Sequence, residues 1–152
     1  MSFDLVLSAI LWTTFTTIVA QAIAIGLMWW LGLPPRKLTH EIEEVQNPAV
    51  GAGFFIVALT AAIFVGLMAT DGFTEDPPFV ESLLWMAGGV LLALAYTSIL
   101  FIIAHRVMGR ENDENVYQYM QRELIDEQNA SLAFFLGSLA ITPFIAVVFQ
   151  LI

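Results

Sequence analysis

Four long apolar stretches constrain this chain more than anything else in it. They run from about Leu5 to Leu33, Pro48 to Ala69, Phe79 to Ala104 and Ala130 to Ile152, and none has an Asp, Glu, Lys or Arg at its centre. About 20 residues of helix cross a hydrocarbon slab of roughly 30 Å, and each stretch reaches that length. A span with ten or so Leu, Ile, Phe and Val gains about 3–6 kcal/mol on entering the bilayer, which carries the few Thr, Ser and Gln present. Composition agrees: 59% of residues are hydrophobic and 12% charged, against about 25% charged in soluble domains. The expected fold class is all-α integral membrane, with four transmembrane helices. The first stretch reads as a retained helix rather than a cleaved leader. Asp4 is its only early charge, and its apolar run exceeds the usual signal core of about 7–15 residues.

Five Lys and Arg against fourteen Asp and Glu give a net charge of −9. That sign excludes an electrostatic grip on nucleic acid and a polybasic lipid-binding surface. The absence of Cys removes disulfides, thiolate metal sites and Cys nucleophiles. The basic residues also set a direction. Arg36 and Lys37 lie between spans one and two, and Arg106, Arg110 and Arg122 between spans three and four. The segment from Thr70 to Pro78 holds Asp71, Glu75 and Asp76 and no basic residue. By the positive-inside rule both basic connectors face the cytoplasm and both termini face outward. Trp29 and Trp30 then stand at the inner interface, with Phe73, Phe79 and Trp85 near the outer one. Trp12 lies deeper and is expected inside the bundle.

One segment reads twice. The run His40-Glu41-Ile42-Glu43-Glu44-Val45-Gln46-Asn47-Pro48-Ala49 aligns without a gap on Arg122-Glu123-Leu124-Ile125-Asp126-Glu127-Gln128-Asn129-Ala130-Ser131. Glu41 matches Glu123, Gln46 matches Gln128 and Asn47 matches Asn129. The same register pairs Ala58 with Ala140, Thr60 with Thr142 and Ile63 with Ile145. The whole chain, 1–152, is expected to be a single membrane domain containing repeat 1 at about 5–69 and repeat 2 at about 79–152. Each copy crosses the membrane twice, so the two helical hairpins are parallel-related, about an axis along the membrane normal.

The two Asn-led segments, Gln46-Asn47-Pro48-Ala49 and Gln128-Asn129-Ala130-Ser131, each follow a polar connector and open a span rich in Gly and Ala. In this, in length and in its two-hairpin layout, the chain resembles the domain of unknown function 350 family of small duplicated four-helix bacterial inner-membrane proteins. Family members usually carry Asn, one residue, then Ala. Asn47-Pro48-Ala49 keeps that pattern and Asn129-Ala130-Ser131 departs from it. The resemblance implies a multi-pass bacterial plasma-membrane protein, a companion of stress-related or polyamine-related soluble proteins, and names no reaction.

Asn47 and Asn129 suit helix N-caps, and Pro48 suits a first helical position because its missing N–H needs no partner there. The functional reading beside this is a paired site, with Gln46 and Asn47 facing Gln128 and Asn129 across the pseudo-axis. Thr13, Thr14, Thr17 and Gln21 share a face of the first span, and Thr60 and Thr142 fall near mid-membrane. These groups are either interhelical hydrogen-bonding residues or the lining of a polar path. No ionisable side chain sits mid-span to signal a proton relay or cation carrier. Ala58, Ala62 and Gly66, Gly89 with Ala93, and Ala133 with Gly137 form small-residue faces for close helix packing, within one chain or between copies. Pro143 interrupts the last span and frees the Leu139 carbonyl, which Thr142 or Ser138 is expected to relieve. His40 and His105 read as solvated, since no zinc or calcium motif surrounds them. No cofactor or metal is expected.

The connectors are the most suggestive parts. From Asp113 to Glu127, Val116, Met120 and Leu124 recur every four residues with Tyr117 alongside, predicting an amphipathic helix of about four turns. Leu38, Ile42 and Val45 predict a shorter one. Membrane-surface helices are typically basic; these are acidic. Val116, Tyr117, Met120 and Leu124 are therefore candidates for docking a basic cytoplasmic protein, beside the alternative of a helix that caps the bundle. With no nucleophile–base pair or metal set in the sequence, the chain reads as non-enzymatic: a partner-binding scaffold, expected to be homo-oligomeric, with a Thr-lined oligomeric transporter or pore as the second reading.

Overall fold

In hydrocarbon every backbone polar group must be satisfied internally, and uninterrupted Leu, Ala, Ile, Val and Phe runs do this as helices. The structure, a computed structural model, describes residues 3–70, 79–108 and 114–151, all helix or short turn. Helix α1 spans Phe3–Trp30, α2 Pro35–Glu43, α3 Pro48–Thr70, α4 Phe79–Met108, α5 Val116–Gln121 and α6 Ala130–Leu151. A π-helical turn, Arg122–Asp126, follows α5 directly. Four helices, α1, α3, α4 and α6, are long and apolar enough to cross a membrane. The expected outer-loop residues Asp71, Phe73, Glu75 and Asp76, together with Arg110 and Asp113, lie outside the described residues.

The first span ends earlier than hydropathy suggests. Gly32, at φ +86°, turns the chain into the left-handed region. Its N–H donates to the Trp29 carbonyl at 2.9 Å, and the Leu33 N–H to the Met28 carbonyl at 2.9 Å, the paired closure of a glycine-ended helix. Pro35 then starts α2 as its first helical residue. The third span runs past Ala104 through His105 and Arg106, since basic side chains suit the carbonyl end of a helix.

α3 and α6 form the centre. α3 packs on α1 and α6, and α6 packs on α4. Ala49 shares one cluster with Leu132, Ala133 and Leu136, and deeper along both helices Phe64 meets Phe144 edge-on, ring centres 5.4 Å apart. α3 and α6 thus run side by side from a common starting end. Gly137 makes their approach close: a Cβ there would stand 2.5 Å from Ile56 Cδ1. The Ala133–Gly137 face is therefore used within the chain, whereas Ala62 is exposed and a Cβ at Gly66 would meet nothing within 4 Å. Large apolar side chains such as Ile10, Leu84, Leu91 and Phe149 are exposed, as suits a surface covered by lipid.

Three expectations need correction. Trp12 is 42% exposed rather than inside the bundle, because α1 packs along one face only and Trp12 stands outside it. In the first connector Leu38 and Glu41 are buried, while Ile42 and Val45 are exposed; the helix stops at Glu43, before a third apolar turn is completed. At the proline, the Thr142 hydroxyl donates to the Ser138 carbonyl at 3.1 Å and Ser138 to the Phe135 carbonyl at 2.7 Å, so neither relieves Leu139.

Candidate functional site

The site lies where α2 and the α5–π segment turn into α3 and α6. In both places the helix unwinds in the same way. Glu44 and Val45 N–H donate to the His40 carbonyl at 3.0 Å, and Glu127 N–H to the Arg122 carbonyl at 2.9 Å. Gln46 and Gln128 then take left-handed φ values of 55° and 53°. This swings Asn47 and Asn129 back, so that each N–H donates to a glutamate carbonyl, Glu41 or Glu123, at 2.8 Å. The matched glutamates of the sequence alignment are the anchors of both turns.

Each Asn side chain then works in two directions. Asn47 Oδ1 accepts from the N–H groups of Ala49 at 3.0 Å and Val50 at 3.1 Å, capping α3. Its Nδ2 donates to Glu41 Oε2 at 3.0 Å, to the Leu124 carbonyl at 3.0 Å and, more distantly, to the Ile125 carbonyl at 3.3 Å. Asn129 Oδ1 accepts from Leu132 N–H at 3.1 Å, and its Nδ2 donates to Glu123 Oε2 at 2.8 Å. Asn47 is 2% exposed and Glu41 7%; Asn129 and Glu123 are partly buried. Asn47 reaches across to the π-helical turn rather than to Asn129. Gln46 is exposed and Gln128 half-buried; their shared trait is backbone conformation.

Charge gathers around the second turn. Arg122 Nε donates to both carboxylate oxygens of Glu114 at 3.1 Å, and Nη1 donates to Glu123 at 3.1 Å and to Glu127. The hydrogen bonds from Glu114, seconded by Glu127, push the guanidinium above its ordinary value. The Arg122 guanidinium also lies 5.6 Å from the Tyr119 ring centre. Burial first, and then the Glu123 charge, push the Tyr119 phenol up.

The proposed docking face is turned inward. Met120 and Leu124 are buried, Val116 and Tyr117 half-buried, and Tyr119, Met120 and Leu124 pack on Ala49, Leu132, Ala133 and Leu136. Gln121 Nε2 donates to the Leu31 carbonyl at 3.1 Å and to Tyr117 Oη at 3.0 Å, pinning α5 on the turn after α1. Gly32 permits this, since a Cβ there would fall 1.9 Å from Gln121 Nε2. Among the intramembrane polar residues, Thr60 is buried while Thr13, Thr17, Gln21 and Thr142 are exposed. Thr17, Thr60 and Thr142 all donate to their own helix carbonyls. Among the described residues no three His, Asp or Glu stand as a metal cluster. What the junction offers chemically is hydrogen-bonding and carboxylate charge.

Sequence reasoning missed Glu41, Glu123, Gln121 and Gly32. The signal for the first two was present in the gapless register, at six residues before each Asn. The fold has the four candidate spans of a multi-pass membrane protein, and its two connectors that carry basic residues are tied to the core by Asn–Glu junctions. Compared with known proteins, the chain matches no family model, no curated protein and no solved structure.

Proposed function

We propose that the chain is a non-catalytic membrane scaffold that binds a basic soluble protein through the acidic outer surface of its connectors. The observation that carries this reading is which way the connectors turn: Leu38, Met120 and Leu124 point in, leaving Glu43, Glu44, Asp126 and Glu127 exposed. Nine of the fourteen acidic residues lie in segments 34–47 and 109–129, a field that steers cationic partners. The docking surface in this reading is the acidic face, with Val116, Tyr117, Met120 and Leu124 holding it on the bundle. A fluorescent oligolysine peptide should bind proteoliposomes of neutral lipid carrying the protein, and the E43Q/E44Q/D126N variant should abolish binding. Absence of binding, or binding untouched by that variant, overturns the reading.

The wider frame is a bacterial plasma-membrane protein built from two parallel-related hairpins, kin to the domain of unknown function 350 family, with both termini outside. Matching turns at Asn47 and Asn129, and α3 and α6 starting from one end, support it. A periplasm-dependent reporter fused after Ile152 should be active; activity of a cytoplasmic reporter alone reverses the orientation. The chain also associates with itself in this reading. Gln21 lies near the middle of the apolar span Ala9–Trp30, on its exposed face, and a carboxamide facing hydrocarbon calls for a hydrogen-bonding partner from another helix. The same exposed stripe, Thr13, Thr17 and Gln21, supports the second reading of an oligomeric pore. Solute flux from proteoliposomes, absent in the first case and present in the second, separates them.

A further inference from the structure

We infer that the space between the four spanning helices is a binding site for an apolar small molecule bearing a single hydroxyl or carbonyl oxygen, drawn from the bilayer. A cavity of about 260 Å³ is walled by α1, α3, α4 and α6, and roofed by Met120 and Leu124 of the second connector. Leu31, Gly53, Leu94 and Leu136 typify its walls. An apolar cavity of about 150 Å³ already binds benzene, so this one has room for a longer chain or a ring system. Such pockets are mostly apolar, with few polar groups fixing orientation.

One wall residue departs from the pattern most membrane hydroxyls follow. Thr14, Thr17, Thr60, Ser98 and Thr142 each donate to the carbonyl four residues back. Thr97 stands in the cavity wall, is 7% exposed, and its Oγ1 is buried with no hydrogen-bond partner. A buried polar atom left unpaired demands an explanation. The cavity supplies one: Thr97 lies eleven residues before Met108, roughly 16 Å along α4 from the connector end, where water is scarce and a ligand oxygen is the natural partner. α1 and α4 pack chiefly on α3 and α6, which leaves the flank between them as the way in from lipid. The inference is independent of the acidic cytoplasmic surface.

The test is photolabelling of the full chain in proteoliposomes with a diazirine-bearing octanol, mapped by mass spectrometry. Label should fall on 94–101 and 120–124. Unlabelled decanol should compete about fivefold better than decane at equal mole fraction in the bilayer, the discrimination one neutral hydrogen bond provides. Thr97→Val, nearly isosteric, should keep the label and erase that preference. Gly53→Leu should abolish labelling without unfolding the protein, because a Cβ at Gly53 meets nothing within 4 Å and the side chain enters the cavity. Label confined to the outer lipid-facing surface and indifferent to Gly53→Leu overturns the site. Decanol preference persisting in Thr97→Val overturns the role of its hydroxyl.

Discussion

The two junctions share a hydrogen-bonding skeleton and differ in what surrounds it. At the first, Asn47 is sealed from solvent and serves both connectors, its Nδ2 donating to Glu41 and to the Leu124 carbonyl. At the second, Asn129 holds only its own turn, and Glu123 answers to Arg122. The same local code thus yields one buried joint between the halves and one ion-paired joint at the rim. The lesson is that the aligned positions are equivalent in backbone and unequal in energy, because burial decides what an unmade hydrogen bond costs.

Substituting the Asn residues breaks the comparison most directly. Asn47→Ala removes a cap worth about 1 kcal/mol. It also strands the buried Glu41 carboxylate and the Leu124 carbonyl, each costing about 1–3 kcal/mol; a total of about 3–7 kcal/mol is expected. Asn129→Ala should cost about 1–2 kcal/mol, since its partners reach water or Arg122. Unfolding in detergent followed by circular dichroism measures both, and equal losses would show the junctions to be energetically alike.

Gly32→Ala comes next. At φ +86° an L side chain costs about 1–2 kcal/mol, and the added Cβ displaces Gln121 from the Leu31 carbonyl. The loss should be about 2–3 kcal/mol and should loosen α5 while α2 and the first junction stay protected. Hydrogen exchange reads this residue by residue; uniform deprotection of both connectors would mean that α5 does not depend on the Gly32 turn.

Much of this was legible in advance. The four spans follow from hydropathy, and both caps from Asn placed before a Gly- and Ala-rich run. The spacing of Val116, Met120 and Leu124 marked an apolar face, but periodicity records that a face is apolar and not what covers it; the bundle covers it here. Glu41 was hidden for a different reason. Its burial depends on a return across a left-handed Gln, and neither helical spacing nor hydropathy carries that geometry. Thr97 was indistinguishable by type from its back-bonded neighbours, because whether a hydroxyl meets its own helix depends on packing around it.

The ion-paired junction should also answer to salt where the buried one does not, and the connector that carries it should answer to pH. Arg122→Leu should lower the melting temperature, with the deficit shrinking at high ionic strength as the wild-type pairing is screened; Asn47→Ala should lose the same amount at any salt. The raised Tyr119 phenol gives the pH arm. The folded protein resists its ionisation more than the unfolded chain does. Its contribution is therefore intact below pH 10 and is lost as pH rises through the raised value. Ultraviolet titration should show a phenol step above pH 10 that Tyr119→Phe removes.

The smallest effect has the opposite sign and tests whether the two turns are built alike. Gln46 and Gln128 hold nearly identical left-handed φ values, which non-glycine residues adopt at a cost of about 1 kcal/mol or more. Glycine removes that strain and adds unfolded-state freedom, a penalty of about 0.4–1 kcal/mol. Gln46→Gly and Gln128→Gly should each therefore stabilise by at most about 1 kcal/mol, Gln46 slightly more because its side chain is exposed and surrenders less packing. A clear destabilisation at Gln128 alone would mean that its half-buried side chain holds the second junction. The asymmetry between the two junctions would then begin one residue earlier than the Asn side chains, in the turn itself.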